Sequence, residues 1–210
     1  MIIKKINKHN VGLIDLGISN IGKITNILQN SSVNIKFIKS QKDFKNIDKI
    51  IFPGLGIFGK ASLKINSEKI RDLLIEFCTI KKKPYLGICL GMQILTSGSD
   101  ESPNDNGLNI INAKCKRLVF DKGKNITVPH IGFKKNISNN KIIRSKDKFY
   151  FVHSYFLNYS KNNDYMKSYV DYGSNKICTF IKKDNIFASQ FHPELSGKVG
   201  IKFINDFLKL

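Results

Sequence analysis

Near its start the chain carries four short apolar runs, each ending on a glycine or a polar break: VGLIDLG at 11–17, NIKFI at 34–38, KIIFPG at 49–54 and YLGIC at 85–89. Their length and their β-branched content predict strands. Between them the apolar period lengthens to that of a helix, over residues 20–30 and 60–80. In the second of these Leu63, Ile70, Leu73, Leu74 and Phe77 fall on one face. Strands alternating with helices of this length imply parallel βαβ units and a doubly wound sheet.

From about residue 113 the texture changes. Short apolar stretches follow one another, CKRLVF at 115–120, ITVPHIGF at 126–133, KFYFVHSYFL at 148–157, KSYVDYG at 167–173, KICTFIKK at 176–183 and NIFASQF at 185–191. Separated by Asn, Lys, Asp and Gly, they predict antiparallel strands. A last helix over residues 197–209 places Val199, Phe203, Ile204, Phe207 and Leu208 on one side, ready to pack on the sheet. The expected class is therefore α/β, a mostly parallel central sheet flanked by helices with antiparallel strands added in the C-terminal half. No repeat or linker divides residues 1–210, so one domain is expected, with the polar stretches 136–147 and 158–166 as mobile loops.

Composition narrows the partners. No apolar run approaches the eighteen or so residues a membrane span needs, and the first ten residues, MIIKKINKHN, lack the apolar core of a secretory signal. A cytoplasmic protein is expected. Cys78, Cys89, Cys115 and Cys178 are far apart and form no metal-type spacing, so reduced thiols and no metal are expected. The formal charge of +19 raises the question of a polyanion partner. Arginine occurs only at 71, 117 and 144, however, and the longest lysine run is 81–83, so the charge is scattered and no nucleic-acid or membrane surface is expected.

The chemistry concentrates in PYLGICLGMQIL, residues 84–95, where an apolar strand runs into a G-x-C-x-G turn and then a helix. This is a nucleophile elbow with sulfur in place of oxygen. The free amides at the start of the helix should favour the thiolate of Cys89, and the amide of Leu90 lies where an oxyanion would form. QFHPEL at 190–195 supplies the base, His192, with a carboxylate, Glu194, two residues on. In an extended segment these two side chains face the same way, and Pro193 biases His192 toward that geometry. The third element is the glycine-rich FPGLGIFG at 52–59, in which Gly54 and Gly56 let the intervening peptide turn an amide inward as a second oxyanion donor.

With these elements in place the chain resembles the class I glutamine amidotransferases, and most closely the glutaminase branch that serves imidazole glycerol phosphate synthase. The resemblance runs nearly end to end, through DLGISN (15–20), FPGLGIFGKA (52–61), PYLGICLGMQ (84–93), SGSDE (97–101), VPHIGF (128–133), FYFVHSY (149–155) and SQFHPELS (189–196). It implies a flavodoxin-like fold, Cys89 as nucleophile, His192 as general acid and base, and Glu194 as its orienting carboxylate. It further implies oxyanion amides from Leu55 and Leu90, with Gly54, Gly56, Gln93, Glu101, Ser154 and Tyr155 around bound L-glutamine. Glu101 suits the substrate's α-ammonium group. No cofactor is implied. The implied partner is a synthase subunit, a (β/α)₈ cyclase joined as a heterodimer, which stimulates a nearly idle glutaminase and receives its ammonia.

Two departures bear on that partner. The family pattern reads HPEKS and VPHMGWN where this chain has HPELS and VPHIGFKK, so Leu195 lacks an ammonium group and Phe133 lacks an indole N–H. DLGISN also lacks a second glycine. A paralogous glutaminase feeding a nucleotide-sugar or surface-polysaccharide amidotransferase therefore stays open, as does a noncatalytic basic binding subunit that keeps the fold.

Overall fold

The computed structural model describes residues 9–120, 126–137, 140, 142–158 and 165–210. Residues 1–8 of the N-terminal ten, for which no secretory signal is expected, and the parts of the two polar stretches at 138–139, 141 and 159–164, lie outside the described residues. Strand β1 (Asn10–Ile14) leads through helix α1 (Gly22–Gln29) to β2 (Asn34–Ile38) and β3 (Lys49–Phe52). Helices α2 (Phe58–Ser67) and α3 (Arg71–Thr79) precede β4 (Tyr85–Ile88), which ends in the one-turn helix α4 (Leu90–Gln93). Short strands follow: β5 (Gly98–Ser99), β6 (Ser102–Asn106), β7 (Lys114–Arg117), β8 (His130–Lys135), β9 (Lys148–His153) and β10 (Tyr155–Leu157). The chain closes with β11 (Met166–Tyr172), β12 (Asn175–Lys183), β13 (Ile186–Ser189) and helix α5 (Gly197–Leu208).

The central sheet has seven strands in the order β11-β12-β13-β4-β3-β1-β2. From β2 to β13 neighbours run parallel, and β12 and β11 extend the sheet antiparallel. Every residue of β3, β4 and β13 is buried, as a strand covered on both faces must be. Alternate side chains serve opposite cores. Ile50, Phe52 and Tyr85 pack with Phe58, Ile65, Leu74 and Phe77 of α2 and α3, while Ile51, Leu86 and Ile88 pack with Ile24, Leu28, Phe203 and Phe207 of α1 and α5. Among the described residues no helix is long and apolar enough to cross a membrane.

Two expectations change. The helix foreseen over residues 60–80 is two helices, because Lys69 takes a left-handed φ of 55° between them. The break uncouples their faces, so Ile65 is buried while Leu63 is 62% exposed. The C-terminal strands are not all antiparallel either: β13 is antiparallel to β12 but parallel to β4, with Ser189 opposite Ile88. That pairing matters for function, since it puts the segment after β13 beside the segment after β4, both at the carboxyl edge of a parallel sheet where open α/β folds build their sites.

Among the described residues two smaller sheets accompany the central one. One is β10-β7-β5-β6 and the other is the β8–β9 ribbon. The sequence reading did not find β6, whose residues Ser102–Asn106 are polar and largely exposed, so the strand is held by backbone pairing without an apolar face to announce it.

Candidate active site

Cys89 sits between β4 and α4 at φ 51°, ψ −99°, a left-handed conformation that costs a non-glycine residue roughly 1–3 kcal/mol. The backbone strain of the turn is carried by the cysteine itself, since neither Gly87 nor Gly91 takes a positive φ. The glycines are needed for close approach. A Cβ on Gly87 would lie 2.3 Å from the Gly91 carbonyl oxygen, and one on Gly91 would lie 1.9 Å from that of Phe52. Below the turn, the buried Tyr85 hydroxyl donates to the Gly91 carbonyl at 2.9 Å. The elbow is thus clamped from beneath. Its helix is only one turn long, and the amides of Met92 and Gln93 are spent on the Cys89 carbonyl at 3.0 Å each, so the dipole foreseen for a full helix is that of a single turn.

His192 follows β13 in extended conformation, φ −98°, ψ 95°. Its amide donates to the Tyr150 carbonyl at 2.9 Å, and its carbonyl accepts from the Ser196 hydroxyl at 2.6 Å. These bonds hold the backbone on both sides. Nδ1 lies 2.8 Å from Oε1 of Glu194, and the two side chains are 1% and 10% exposed. The route to that pairing differs from the expected strand alternation. Residues Pro193–Leu195 form a single 3-10 turn, and this turn swings the carboxylate back onto the ring. Burial pushes the imidazole down, but the Cys89 sulfur and the Glu194 carboxylate outweigh it and hold the group up at about 10. Nε2, the other ring nitrogen, is buried with no partner at hydrogen-bonding geometry among the described residues. The Cys89 sulfur nevertheless acts on the ring, and its negative charge is the largest of the influences that raise the imidazole.

A cavity of about 130 Å³ opens beside the sulfur, lined by Leu55, Gly56, Cys89, Gln93, Glu101, Val152, His153, Ser154 and Tyr155. The candidate substrate residues thus converge from four separated segments, with Gly54 set behind the wall against Leu90. A Cβ on Gly54 would lie 2.3 Å from that of Leu90. Oε2 of Glu101 accepts the Phe58 amide at 2.8 Å, at the start of α2 where a helix favours an anion. The carboxylate is fixed in place by the element that follows the glycine-rich loop. Nε2 of Gln93 donates to the Tyr155 carbonyl at 2.9 Å and to Oε1 of Gln190 at 3.3 Å. Both amide hydrogens are used, which leaves Gln93 only its carbonyl oxygen to offer the cavity.

The two expected oxyanion donors are engaged elsewhere. The Leu90 amide donates to the Gly54 carbonyl at 3.4 Å, and the Leu55 amide donates to the Ser19 hydroxyl at 3.2 Å instead of turning inward. An acyl-transfer oxyanion would find neither one free in this conformation.

Two residues and one pairing went unread in the sequence. Gln190 stood in SQFHPELS without a role, yet its Nε2 lies 3.5 Å from Sγ of Cys89. Ser19 stood in DLGISN, with nothing to mark it as the partner of a loop thirty-six residues away. The third is a buried pair, His130 and His153, with Nδ1 of the first 3.2 Å from Nε2 of the second. Nδ1 of His153 lies 3.1 Å from the Tyr155 carbonyl, which can only accept, so His153 carries its proton there and His130 must donate between the rings. Both are kept neutral chiefly by burial, His130 pushed down to about 4 and His153 to about 3. The register of β8 on β9, which pairs residue 130 with residue 153, was the signal that could have joined them.

Comparison with known proteins adds independent information. Residues 12–210 match the family described as glutamine amidotransferase class-I. The chain is 37% identical over 206 residues to the imidazole glycerol phosphate synthase subunit HisH of Leptospira interrogans, covering 95% of this chain and all of that protein. It is 35% identical over 209 residues to the chloroplastic imidazole glycerol phosphate synthase hisHF of Arabidopsis thaliana, covering 94% of this chain but 34% of that longer protein. Among solved structures, one described as a glutamine amidotransferase superposes with a TM-score of 0.72 at 15% identity, covering 95% of this chain and 99% of the other.

Proposed function

Because this chain belongs to the class I glutamine amidotransferases, we propose that it is the glutaminase subunit of an imidazole glycerol phosphate synthase, hydrolysing L-glutamine and passing the ammonia to a cyclase subunit. The observation that carries this reading is the parallel pairing of β4 with β13, which brings Cys89 and the buried His192–Glu194 pair to one edge of the sheet beside the cavity.

In this reading the α-ammonium of glutamine is met by the Glu101 carboxylate and the free carbonyl of Gln93, and the side-chain amide reaches toward Cys89. The thiolate attacks the amide carbon. His192, protonated at neutral pH because its group is held up at about 10, delivers a proton to the departing nitrogen and ammonia leaves. The neutral ring then takes a proton from water, whose oxygen attacks the thioester, and glutamate departs as the thiolate returns. Glu194 holds Nδ1 so that Nε2 is the nitrogen that works. Stabilising the tetrahedral intermediate requires the Leu55 and Leu90 amides to leave Ser19 and Gly54, a rearrangement that fits a glutaminase driven by its partner.

Ammonia released into water at neutral pH would be protonated and lose its nucleophilicity, so the acceptor must dock over the cavity. The names of relatives support this, with a separate subunit in one and a longer single chain in the other. Ile131 and Phe133, each 57% exposed on β8, and Leu55, 40% exposed at the cavity, supply an apolar rim for that contact. Leu195 and Phe133 also fit a second acceptor, an amidotransferase step on a nucleotide sugar or polysaccharide precursor. The buried ion pair facing the sulfur supports catalysis over a purely binding role. The test is glutamate release by the purified chain with and without the cyclase, together with formation of imidazole glycerol phosphate; release with no product from the cyclase would redirect the search to the second acceptor.

A further inference from the structure

We propose that Gln190 is a positioning residue that holds and aims the Cys89 sulfur as a thiolate, with its amide locked in the required orientation by Gln93. The proposal rests on the glutaminase reading of Cys89 and adds a residue to it. Gln190 is fully buried directly after β13, and its backbone amide donates to the Thr179 carbonyl at 2.9 Å, so its side chain has little freedom.

The orientation follows from one fixed acceptor. The Tyr155 carbonyl can only accept, so the nitrogen of the Gln93 side chain must face it, at 2.9 Å. That nitrogen gives its second hydrogen to Gln190 at 3.3 Å, so Gln190 must turn its oxygen to Gln93. Its NH₂ group is then left pointing at the sulfur, at 3.5 Å. A reversed Gln190 amide would set two NH₂ groups against each other and an oxygen against a thiolate.

The neighbouring backbone donors do not do this work. The amide of Cys89 goes to the Ser189 carbonyl at 2.6 Å, that of Leu90 to Gly54, and those of Met92 and Gln93 to the Cys89 carbonyl. Gln190 is therefore a neutral donor on the sulfur that persists when His192 gives up its proton. A donor to sulfur favours the anion over the thiol, because the anion is the stronger acceptor. It stabilises the thiolate both as nucleophile and as the group expelled when water attacks the thioester. Gln93 and Tyr155 also line the cavity, so the same two bonds tie the state of the sulfur to the wall that meets substrate.

Alkylation by iodoacetamide of the full-length protein tests this without glutamine. The rate at Cys89 is followed by peptide mass spectrometry at pH 6.5 and 9.5, where Cys78, Cys115 and Cys178, each pushed up to about 12 by burial, react slowly. In Gln190→Met, which keeps the length but not the donor, the ratio of the rate at pH 6.5 to that at pH 9.5 falls severalfold, as the loss of a hydrogen bond that favours the charged sulfur implies. Gln93→Met leaves Gln190 in place but unlocks it, and lowers the ratio about two- to threefold. If the first variant fails to fold, the second carries the test. An unchanged ratio in either folded variant overturns the proposal. Because the readout needs no turnover, that result would leave the glutaminase reading standing, and a chain that fails to hydrolyse glutamine would still report on Gln190.

Discussion

The Leu90 amide donates to the Gly54 carbonyl at 3.4 Å, so the residue after the nucleophile is bonded to the loop expected to supply the second oxyanion donor. The companion bond, from the Leu55 amide to the Ser19 hydroxyl, holds that donor outward. Removing the acceptor should ease the loop toward its working form. Ser19→Ala is expected to raise glutaminase activity of the chain alone about two- to fivefold, the worth of one exposed hydrogen bond. Glutamate release by the chain alone reads it.

Glu194→Gln keeps the size of the side chain and removes its charge. The fold should survive, as judged by an unchanged circular dichroism spectrum, while kcat falls by about two to four orders of magnitude because the imidazolium loses its counter-charge. The raised group of His192 should also move down, so the alkaline limb of the pH–rate profile shifts to lower pH. A profile that does not move would remove Glu194 from its role.

Stability should depend on pH on both sides of neutrality. His130 and His153 titrate near 6.5 when unfolded but are pushed down to about 4 and about 3 in the fold, so the unfolded chain binds more protons below pH 6.5 and stability falls as the pH drops from there toward 3. His192 has the opposite sign. Its contribution is complete below about pH 6.5 and is lost as the pH rises through about 10. His130 stacks between Phe151 and Tyr172, at centroid distances of 4.9 and 4.0 Å, so His130→Phe can fill its place. Urea denaturation of that variant between pH 6 and 4 should show a shallower loss, by up to about 1.4 kcal/mol per pH unit.

Phe133 meets Tyr150 edge to face at 5.3 Å, and the Tyr150 carbonyl accepts the His192 amide. A partner pressing on this exposed ring would thus act one residue away from the base. Phe133→Ala should weaken binding of the cyclase about tenfold or more, as truncation of an aromatic anchor does, measured by titration calorimetry.

Much of this was legible in the sequence because it depends on local pattern. The elbow shows as an apolar run entering G-x-C-x-G, and the His192–Glu194 pair shows as two residues with one between. What was not legible depends on pairing between distant segments or on single backbone choices. Nothing apolar marks Lys69 as a helix break, and β13 looks like any other short strand until its parallel partner is known. The bonds of Ser19 to Leu55 and of Gln190 to Cys89 span thirty-six and one hundred and one residues, beyond any periodicity. The polar strand β6, which carries the chain away from Glu101, shows no hydrophobic face at all.

The most direct measurement of the central claim is to trap the nucleophile. The protein is incubated with its cyclase and a chloroketone analogue of glutamine, and the labelled peptide is mapped while remaining glutaminase activity is followed. The account predicts one equivalent of adduct on Cys89, with activity lost in proportion to it, and neither adduct nor turnover in Cys89→Ala. Undiminished glutamine hydrolysis by that variant, or inactivation that leaves Cys89 unmodified, would contradict it.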